Sequence, residues 1–158
     1  MSDLTTAAVC GLYCKSCSVY IGTMDNDEQR LERIGRTMNQ SIADTRCEGC
    51  RSNVLSAHCR TCTFRSCAEG KNIRFCGECA EFPCAKLAEF QKQLPHRVEL
   101  YQSLSLLKDA DLEQWHQQMI SDYSCPECGT INSAYDYRCR NCGNEPGNPY
   151  IERNRDWI

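Results

Sequence analysis

Apolar residues recur at helical spacing in four stretches of the chain. The first stretch follows an expected capping box from Asp25 to Glu28, Pro95 ends the second, and Asp109 or Asp111 is the expected N-cap of the fourth. In chain order the stripes are Leu31, Ile34 and Met38; Leu87, Phe90 and Leu94; Leu100 or Tyr101, Leu104 and Leu107; and Leu112, Trp115 and Met119. This periodicity predicts a small, mainly α protein with these stripes in its core.

The helical pattern is missing between residues 46 and 84, where large apolar residues are sparse. They are Val54, Leu55, Phe64, Ile73, Phe75 and Phe82. Burial of so few side chains does not offset the conformational entropy that this segment loses on folding. The same segment contains eight cysteines: Cys47, Cys50, Cys59, Cys62, Cys67, Cys76, Cys79 and Cys84. We therefore expect irregular cysteine knuckles that are cross-linked by metal ions.

Cysteine usage is high along the whole chain, with 15 cysteines in 158 residues. The opening residues MSDLTTAAVCGLY contain neither a basic region nor a long apolar run, so we expect no signal peptide and no membrane span. These features predict a cytoplasmic protein. Because thiols stay reduced in that compartment, closely spaced cysteines are expected to bind metal ions.

The clearest metal pattern lies near the end of the chain. Two C-x2-C knuckles, each followed by a glycine, supply Cys125, Cys128, Cys139 and Cys142. Four thiolates complete a tetrahedral zinc site, whereas a redox C-x2-C motif would leave the second knuckle unexplained. The pattern predicts a two-knuckle zinc ribbon, with a short β-hairpin between Thr130 and Arg138.

Eleven cysteines precede this ribbon. Eight of them make two four-thiolate sites, either in sequence (Cys47, Cys50, Cys59 and Cys62, then Cys67, Cys76, Cys79 and Cys84) or as an interleaved cross-brace. Cys10, Cys14 and Cys17 are left over. Together the fifteen cysteines predict about three to four zinc ions.

Three readings of Cys10, Cys14 and Cys17 are open. The first is a structural zinc completed by another cysteine or by a histidine, with His58 as the candidate closest to a cysteine. The second is an iron–sulfur cluster, because radical S-adenosylmethionine enzymes use C-x3-C-x2-C, although the large α/β barrel of those enzymes is not expected here. The third is an open zinc site or a redox-active trio.

The ordered cysteine set resembles a bacterial and archaeal family of cysteine-rich domains of unknown function that open with CGLxCxxC. The matching pieces are CGLYCKSC (10–17), CEGC (47–50), CRTC (59–62), Cys67 and CGECAEFPC (76–84), with helices containing Trp115 and then the ribbon. The resemblance implies a zinc-binding protein without an established activity. Gly70-Lys71 departs from the Lys-Gly usual in the family, but it touches no expected ligand.

Charge and catalytic motifs bear on function. The formal net charge is −3, and fifteen thiolates around four zinc ions would make it about −10, which disfavours nucleic acid as a partner. Two interpretations of the basic residues near the cysteines stay open: they form a local basic face for nucleic acid, or they screen the negative charge of the thiolates. These residues are Arg46, Arg51, Arg60, Arg65, Lys71, Arg74, Arg138 and Arg140. The sequence contains no GxSxG, HExxH, GxxxxGK or GxGxxG motif.

These observations lead to two hypotheses about function. The leading one is a non-enzymatic, metal-stabilised binding or adaptor module whose partner is a protein. The alternative is a small metalloenzyme or an iron–sulfur or redox protein that works at Cys10, Cys14 and Cys17. We expect two domains, a cysteine-rich helical domain over residues 1–121 and a ribbon with its tail over residues 122–158.

Overall fold

The computed structural model describes residues 3–157, which form a mainly helical protein. The α-helices are α1 (Ser18–Met24), α2 (Glu28–Met38), α3 (Ile42–Thr45), α4 (Ala57–Arg60), α5 (Thr63–Lys71), α6 (Ala85–Lys92), α7 (Leu100–Asp109), α8 (Leu112–Tyr123) and α9 (Pro149–Arg153). Short 3-10 helices span Leu4–Thr6, Cys14–Ser16, Cys76–Glu78, Pro95–Arg97 and Arg155–Trp157. The predicted mainly α class is confirmed.

The first apolar stripe lies on α2, but the helix begins later than predicted. Its N-cap is Asp27, whose carboxylate accepts a hydrogen bond of 2.9 Å from Arg30 N. Asp25 instead ends α1, so the predicted capping box from Asp25 to Glu28 is wrong. Leu31 is fully buried, whereas Met38, in the last turn before the left-handed Asn39, is exposed.

The later stripes are mostly confirmed. On α7 the predicted face of Leu100, Leu104 and Leu107 is buried, and α8 buries Trp115 and Met119. Asp111 caps α8 by accepting a hydrogen bond of 2.8 Å from Gln114 N. The exception is Leu94: α6 ends at Lys92, so this side chain falls outside the helix and is exposed.

The opening cysteine motif packs into the centre of the protein. The Tyr13 ring meets the edge of the Trp115 ring, with 5.6 Å between their centroids, and Trp115 is fully buried. Trp115 Nε1 donates to Ser103 Oγ at 2.9 Å, and Ser103 Oγ donates to the carbonyl oxygen of Gly11. The motif is therefore anchored to both α7 and α8 as well as carrying three cysteines.

The glycine of this motif fits a position that excludes a side chain. Gly11 has φ +90°, and a Cβ atom there would lie 2.7 Å from Leu104 Cγ. We expect Gly11→Ala to destabilise the protein by about 3 kcal/mol, through backbone strain and overpacking of α7. Urea unfolding would measure the change. The control is Gly70→Ala, where nothing lies within 4 Å of the added atom and the helix should gain slightly; equal effects would contradict the argument.

The β-hairpin predicted between the C-terminal knuckles is wrong. In residues 3–157 this region forms only an isolated antiparallel bridge, between Ser124 and Ile131. Beyond it the backbone turns at once, because Asp136 N donates to the Ser133 carbonyl at 3.1 Å and Ser133 N donates to the Asp136 carboxylate at 2.9 Å. These turn contacts replace the ladder that a hairpin would need.

Residues on either side of the predicted boundary at 121/122 are in contact. Arg30 and Asp136 form a largely buried ion pair at 3.0 Å, and Tyr150 Oη donates to the Pro95 carbonyl at 2.7 Å. The division into residues 1–121 and 122–158 stays a prediction. Within the described residues, no helix combines the length and the apolar character needed to cross a membrane.

Candidate metal centres

The two C-terminal knuckles bring four sulfurs together. Cys125 Sγ lies 3.5 Å from Cys142 Sγ, and Cys128 Sγ lies 3.7 Å from Cys139 Sγ, with all four sulfurs within 4.8 Å of one another. Four thiolates at tetrahedral Zn–S bond lengths are about 3.8 Å apart. The arrangement therefore fits one tetrahedral metal ion, as the spacing predicted for these residues.

Each knuckle is built by a backbone turn. Gly129 N donates to the Cys125 carbonyl at 2.9 Å, and Gly143 N donates to the Cys139 carbonyl at 3.0 Å. Both glycines have positive φ angles, +73° and +79°, which glycine adopts without strain. Cys125 and Cys139 are buried while Cys128 and Cys142 face solvent, so the site lies at the surface with one closed side.

Two polar residues that the sequence analysis did not identify support these sulfurs. Buried Asn132 donates through Nδ2 to Cys139 Sγ at 3.4 Å and to the Gly147 carbonyl at 2.9 Å, which ties the site to the chain beyond it. Thr130 Oγ1 lies 3.3 Å from Cys128 Sγ. Their position in sequence between the two knuckles could have identified both residues, because metal-binding sulfurs are supported by hydrogen-bond donors close to them.

Hydrogen bonds favour the thiolate form at this site. Those from the Thr130 side chain and backbone lower the pKa of Cys128 to about 5. Burial opposes ionisation of Cys139, but hydrogen bonds from Cys142 N, Asn141 N and Asn132 outweigh it and lower the pKa of that thiol. Because the thiolate is the metal-binding form, the lowered pKa values of both thiols favour the binding of a cation.

The eleven N-terminal cysteines form looser groups. In the part of the chain that the structure describes, only the C-terminal set brings three or more ligand atoms within 4.8 Å of one another. The first N-terminal group surrounds Cys14, whose sulfur accepts a hydrogen bond of 3.4 Å from Cys50 N. Burial, together with the nearby sulfurs of Cys50, Cys62 and Cys76, raises the pKa of Cys10 to about 12.

A second group contains Cys17, Cys47 and Cys59. The thiols of Cys47 and Cys59 are neighbours, and their interaction lowers the pKa of Cys47 and raises that of Cys59. Burial raises the pKa of Cys17, and its neighbouring sulfur is that of Cys47. Cys47 N also donates at 3.0 Å to Thr23 Oγ1 on α1, the helix that Cys17 caps.

The third group lies around Cys76. Burial raises the pKa of Cys76 to about 12, and the sulfurs of Cys84, Cys67, Cys62 and Cys79 add to the shift. Lys71 Nζ donates to Cys79 Sγ at 3.3 Å and is paired with Glu81. Lys71 is one of the basic residues that the sequence analysis placed near the cysteines. The structure shows its ammonium group in contact with a sulfur.

The predicted trio of Cys10, Cys14 and Cys17 does not form a group with ligand atoms within 4.8 Å of one another among the described residues. Cys14 has the sulfurs of Cys50, Cys17 and Cys10 as neighbours, and Cys17 has in addition the sulfur of Cys47. His58, the candidate fourth ligand, is exposed, and no histidine of residues 3–157 belongs to a close group of ligands. Metal binding by the eleven N-terminal cysteines stays a prediction.

Most of the basic residues around the knuckles have carboxylate partners. The pairs are Arg46 with Glu28, Arg60 with Asp44, Lys71 with Glu81, Arg74 with Glu78, Arg138 with Glu145, and Arg140 with Asp25. Arg51 and Arg65 donate to the backbone carbonyls of Ala7 and Cys59. These contacts compensate most of the positive charge that a nucleic-acid surface would present.

A family model described as "Protein of unknown function (DUF3795)" matches residues 6–89, more than half of the chain. The chain belongs to this family. The DUF3795 match covers all eleven N-terminal cysteines and ends before the four-sulfur site at residues 125–142. Neither a curated protein nor a solved structure matches the chain.

Proposed function

We propose that this DUF3795 protein is a non-enzymatic binding module whose fold is held by about three to four zinc ions. The observation that carries the proposal is the set of sulfurs from Cys125, Cys128, Cys139 and Cys142, which has the spacing of a tetrahedral thiolate site. Four thiolates and no open position are typical of structural zinc. In this proposal the C-terminal unit is a zinc ribbon without its hairpin.

The N-terminal cysteines are assigned in interleaved order. One zinc takes Cys10, Cys14, Cys50 and Cys62, and another takes Cys67, Cys76, Cys79 and Cys84. The hydrogen bond from Cys50 N to Cys14 Sγ supports the first set over the sequential alternative. The contact between Lys71 Nζ and Cys79 Sγ supports the second, because zinc thiolates carry negative charge that such donors stabilise.

The proposed partner is a protein that binds at the ribbon. Tyr135 and Tyr137 lie in the loop between the knuckles, and about half of each side chain is exposed. Exposed tyrosines are enriched at protein interfaces because they combine an apolar ring with a polar tip. The carboxylate partners of the nearby Arg138 and Arg140 favour a protein over a nucleic acid in this proposal. A cytoplasmic location is part of the same proposal.

A metalloenzyme or iron–sulfur protein is the second candidate, and one observation favours it. Cys17, Cys47 and Cys59 neighbour one another, whereas the other proposed sets have four members. A metal bound by three thiolates keeps an open position, which is the usual arrangement of catalytic zinc and of clusters that bind substrate. The proposed reactive group is therefore Cys17, Cys47 and Cys59.

Metal analysis of protein purified without air separates the two candidates. We expect about three to four zinc ions per chain, no iron and no visible absorption. The variant Cys139→Ser should lose one zinc ion. The variant Cys17→Ser changes the three-sulfur group and therefore tests the alternative. The ions at the four-sulfur sites should stay bound in this variant. Iron with a brown colour that Cys17→Ser abolishes would overturn the non-enzymatic proposal.

A further inference from the structure

The four-sulfur site near the C-terminus differs from the N-terminal cysteine groups in its access to solvent. Cys128 and Cys142 are exposed, whereas the other two members of the site are buried. Each N-terminal group proposed above has at most one exposed cysteine, either Cys17 or Cys67. Because oxidants reach exposed thiolates first, the C-terminal sulfurs are the set most open to oxidation.

Each exposed cysteine of this site has a buried neighbour on the opposite knuckle. Cys142 Sγ lies 3.5 Å from Cys125 Sγ, and Cys128 Sγ lies 3.7 Å from Cys139 Sγ. Both pairs join the two knuckles, and neither pair lies within a single C-x2-C motif. Sulfurs at these separations can bond to each other after a small movement of either side chain.

The reaction that this arrangement allows needs an oxidant, and its chemical class is a hydroperoxide. An exposed thiolate attacks the O–O bond of hydrogen peroxide; an S–O bond forms, hydroxide leaves, and the cysteine becomes a sulfenic acid. The thiolate of the buried neighbour then attacks that sulfur, so an S–S bond replaces the S–O bond and a second hydroxide leaves. Each pair gives two electrons to one peroxide, and its sulfurs are no longer the thiolates that bind a metal ion.

The same sulfurs hold the loop that carries the proposed protein-binding surface. Asn132 Nδ2 donates to Cys139 Sγ at 3.4 Å, and Asn132 Oδ1 accepts a hydrogen bond of 3.0 Å from Arg140 N. The half-exposed Tyr135 and Tyr137 lie in this loop, between the two knuckles. Because a metal ion would cross-link both ends of the loop, its loss should rearrange the tyrosines.

We propose that the C-terminal site is an oxidation switch. A hydroperoxide converts it into two disulfides between the knuckles, Cys125 with Cys142 and Cys128 with Cys139, and its zinc ion is released. The switch rests on the zinc assignment proposed above for this site. It adds a way to turn the nearby protein-binding surface on and off.

Hydrogen peroxide added to the reduced, zinc-loaded full chain tests the switch. A zinc-binding dye should record the loss of one zinc ion per chain, and a reductant with added zinc should restore it. After alkylation, cleavage behind Glu127, Arg138 and Arg140 places the four cysteines on separate peptides, so mass spectrometry identifies each disulfide. We expect only the two disulfides that join the knuckles.

Disulfides within a knuckle, earlier zinc loss from the N-terminal groups, or a zinc-loaded site that resists peroxide would each overturn the switch. These outcomes leave the proposed zinc fold intact. Equal zinc contents of the untreated parent and Cys139→Ser would instead show that the C-terminal site holds no zinc, and both proposals would fail.

A variant with both Cys128→His and Cys142→His tests the role of the exposed sulfurs. Histidine is also a zinc ligand, so this variant should still bind zinc, and it should keep the ion in peroxide because no exposed thiolate starts the reaction. The matched control is Cys67→His, which replaces an exposed cysteine of an N-terminal group and should release the C-terminal zinc like the parent. Equal peroxide sensitivity of the double variant and the parent would contradict the switch.

Discussion

On the proposed zinc assignment, we expect a strong chelator to unfold this protein. Each structural zinc of a small cysteine-rich domain contributes an apparent 10 to 16 kcal/mol, about as much as the whole unfolding free energy of a typical domain. Without metal, the raised pKa values of Cys10, Cys14 and Cys17 favour their neutral thiols, and the cysteine-rich segments lose the cross-links that the proposed zinc ions supply. We expect circular dichroism of chelator-treated, reduced protein to show no cooperative melting transition.

The matched control is the same chelator presaturated with Zn²⁺, which leaves buffer and ionic conditions unchanged. Adding zinc back to the stripped protein should restore the helical signal and the transition. A melting curve that is the same before and after chelation would disprove the claim that metal holds the fold. The same measurement on Cys139→Ser isolates the contribution of the C-terminal site.

The sequence predicted α7 and α8 well because their signals are local. Leu100, Leu104 and Leu107 share one face within a single helix, and the Asp111 cap lies one residue before the next. Helix α1 was missed, since Ser18–Met24 is short and follows a cysteine knuckle without a side-chain cap. The hairpin was wrong because turn contacts of Ser133 and Asp136 replaced strand pairing after one bridge.

The candidate metal sites show the same division between local and long-range information. Cys125 and Cys128 lie within one turn, and their partner knuckle is close in sequence, so spacing alone predicted the set. The neighbours of Cys14 could not be predicted in this way. Its contact with Cys50 spans 36 positions and depends on how the chain folds between them. Composition gave the number of thiols but not which of them become neighbours.

Metal binding and apolar packing act on the same segment. Tyr13 sits between Cys10 and Cys14 in sequence, and its ring packs against Trp115 in the core. The sequence analysis treated the cysteine-rich part and the helices as separate means of stabilisation. Because one loop takes part in both, disturbing the core should weaken the metal sites, and losing the metal should loosen the core.

Trp115→Ala tests this coupling and should have the largest effect of any core substitution. The residue is fully buried, it contacts Tyr13, and its indole nitrogen donates to Ser103. Truncating a buried tryptophan costs about 3 to 5 kcal/mol, and for a chain of this size that corresponds to a fall in melting temperature on the order of 10 °C. Calorimetry with a zinc-binding dye would record unfolding and metal release together.

Trp157→Ala is the control, since this second tryptophan is 65% exposed and its loss should change stability by about 0.5 kcal/mol or less. In Trp115→Ala we expect one transition, shifted downward, in which zinc leaves as the helices melt. The opposite result would be loss of helix at a lower temperature, followed by zinc release at the melting temperature of the unsubstituted protein. It would show that the metal sites of the opening motif do not depend on the core. Coupled release follows from the structure because Tyr13 places the motif between Trp115 and the sulfurs.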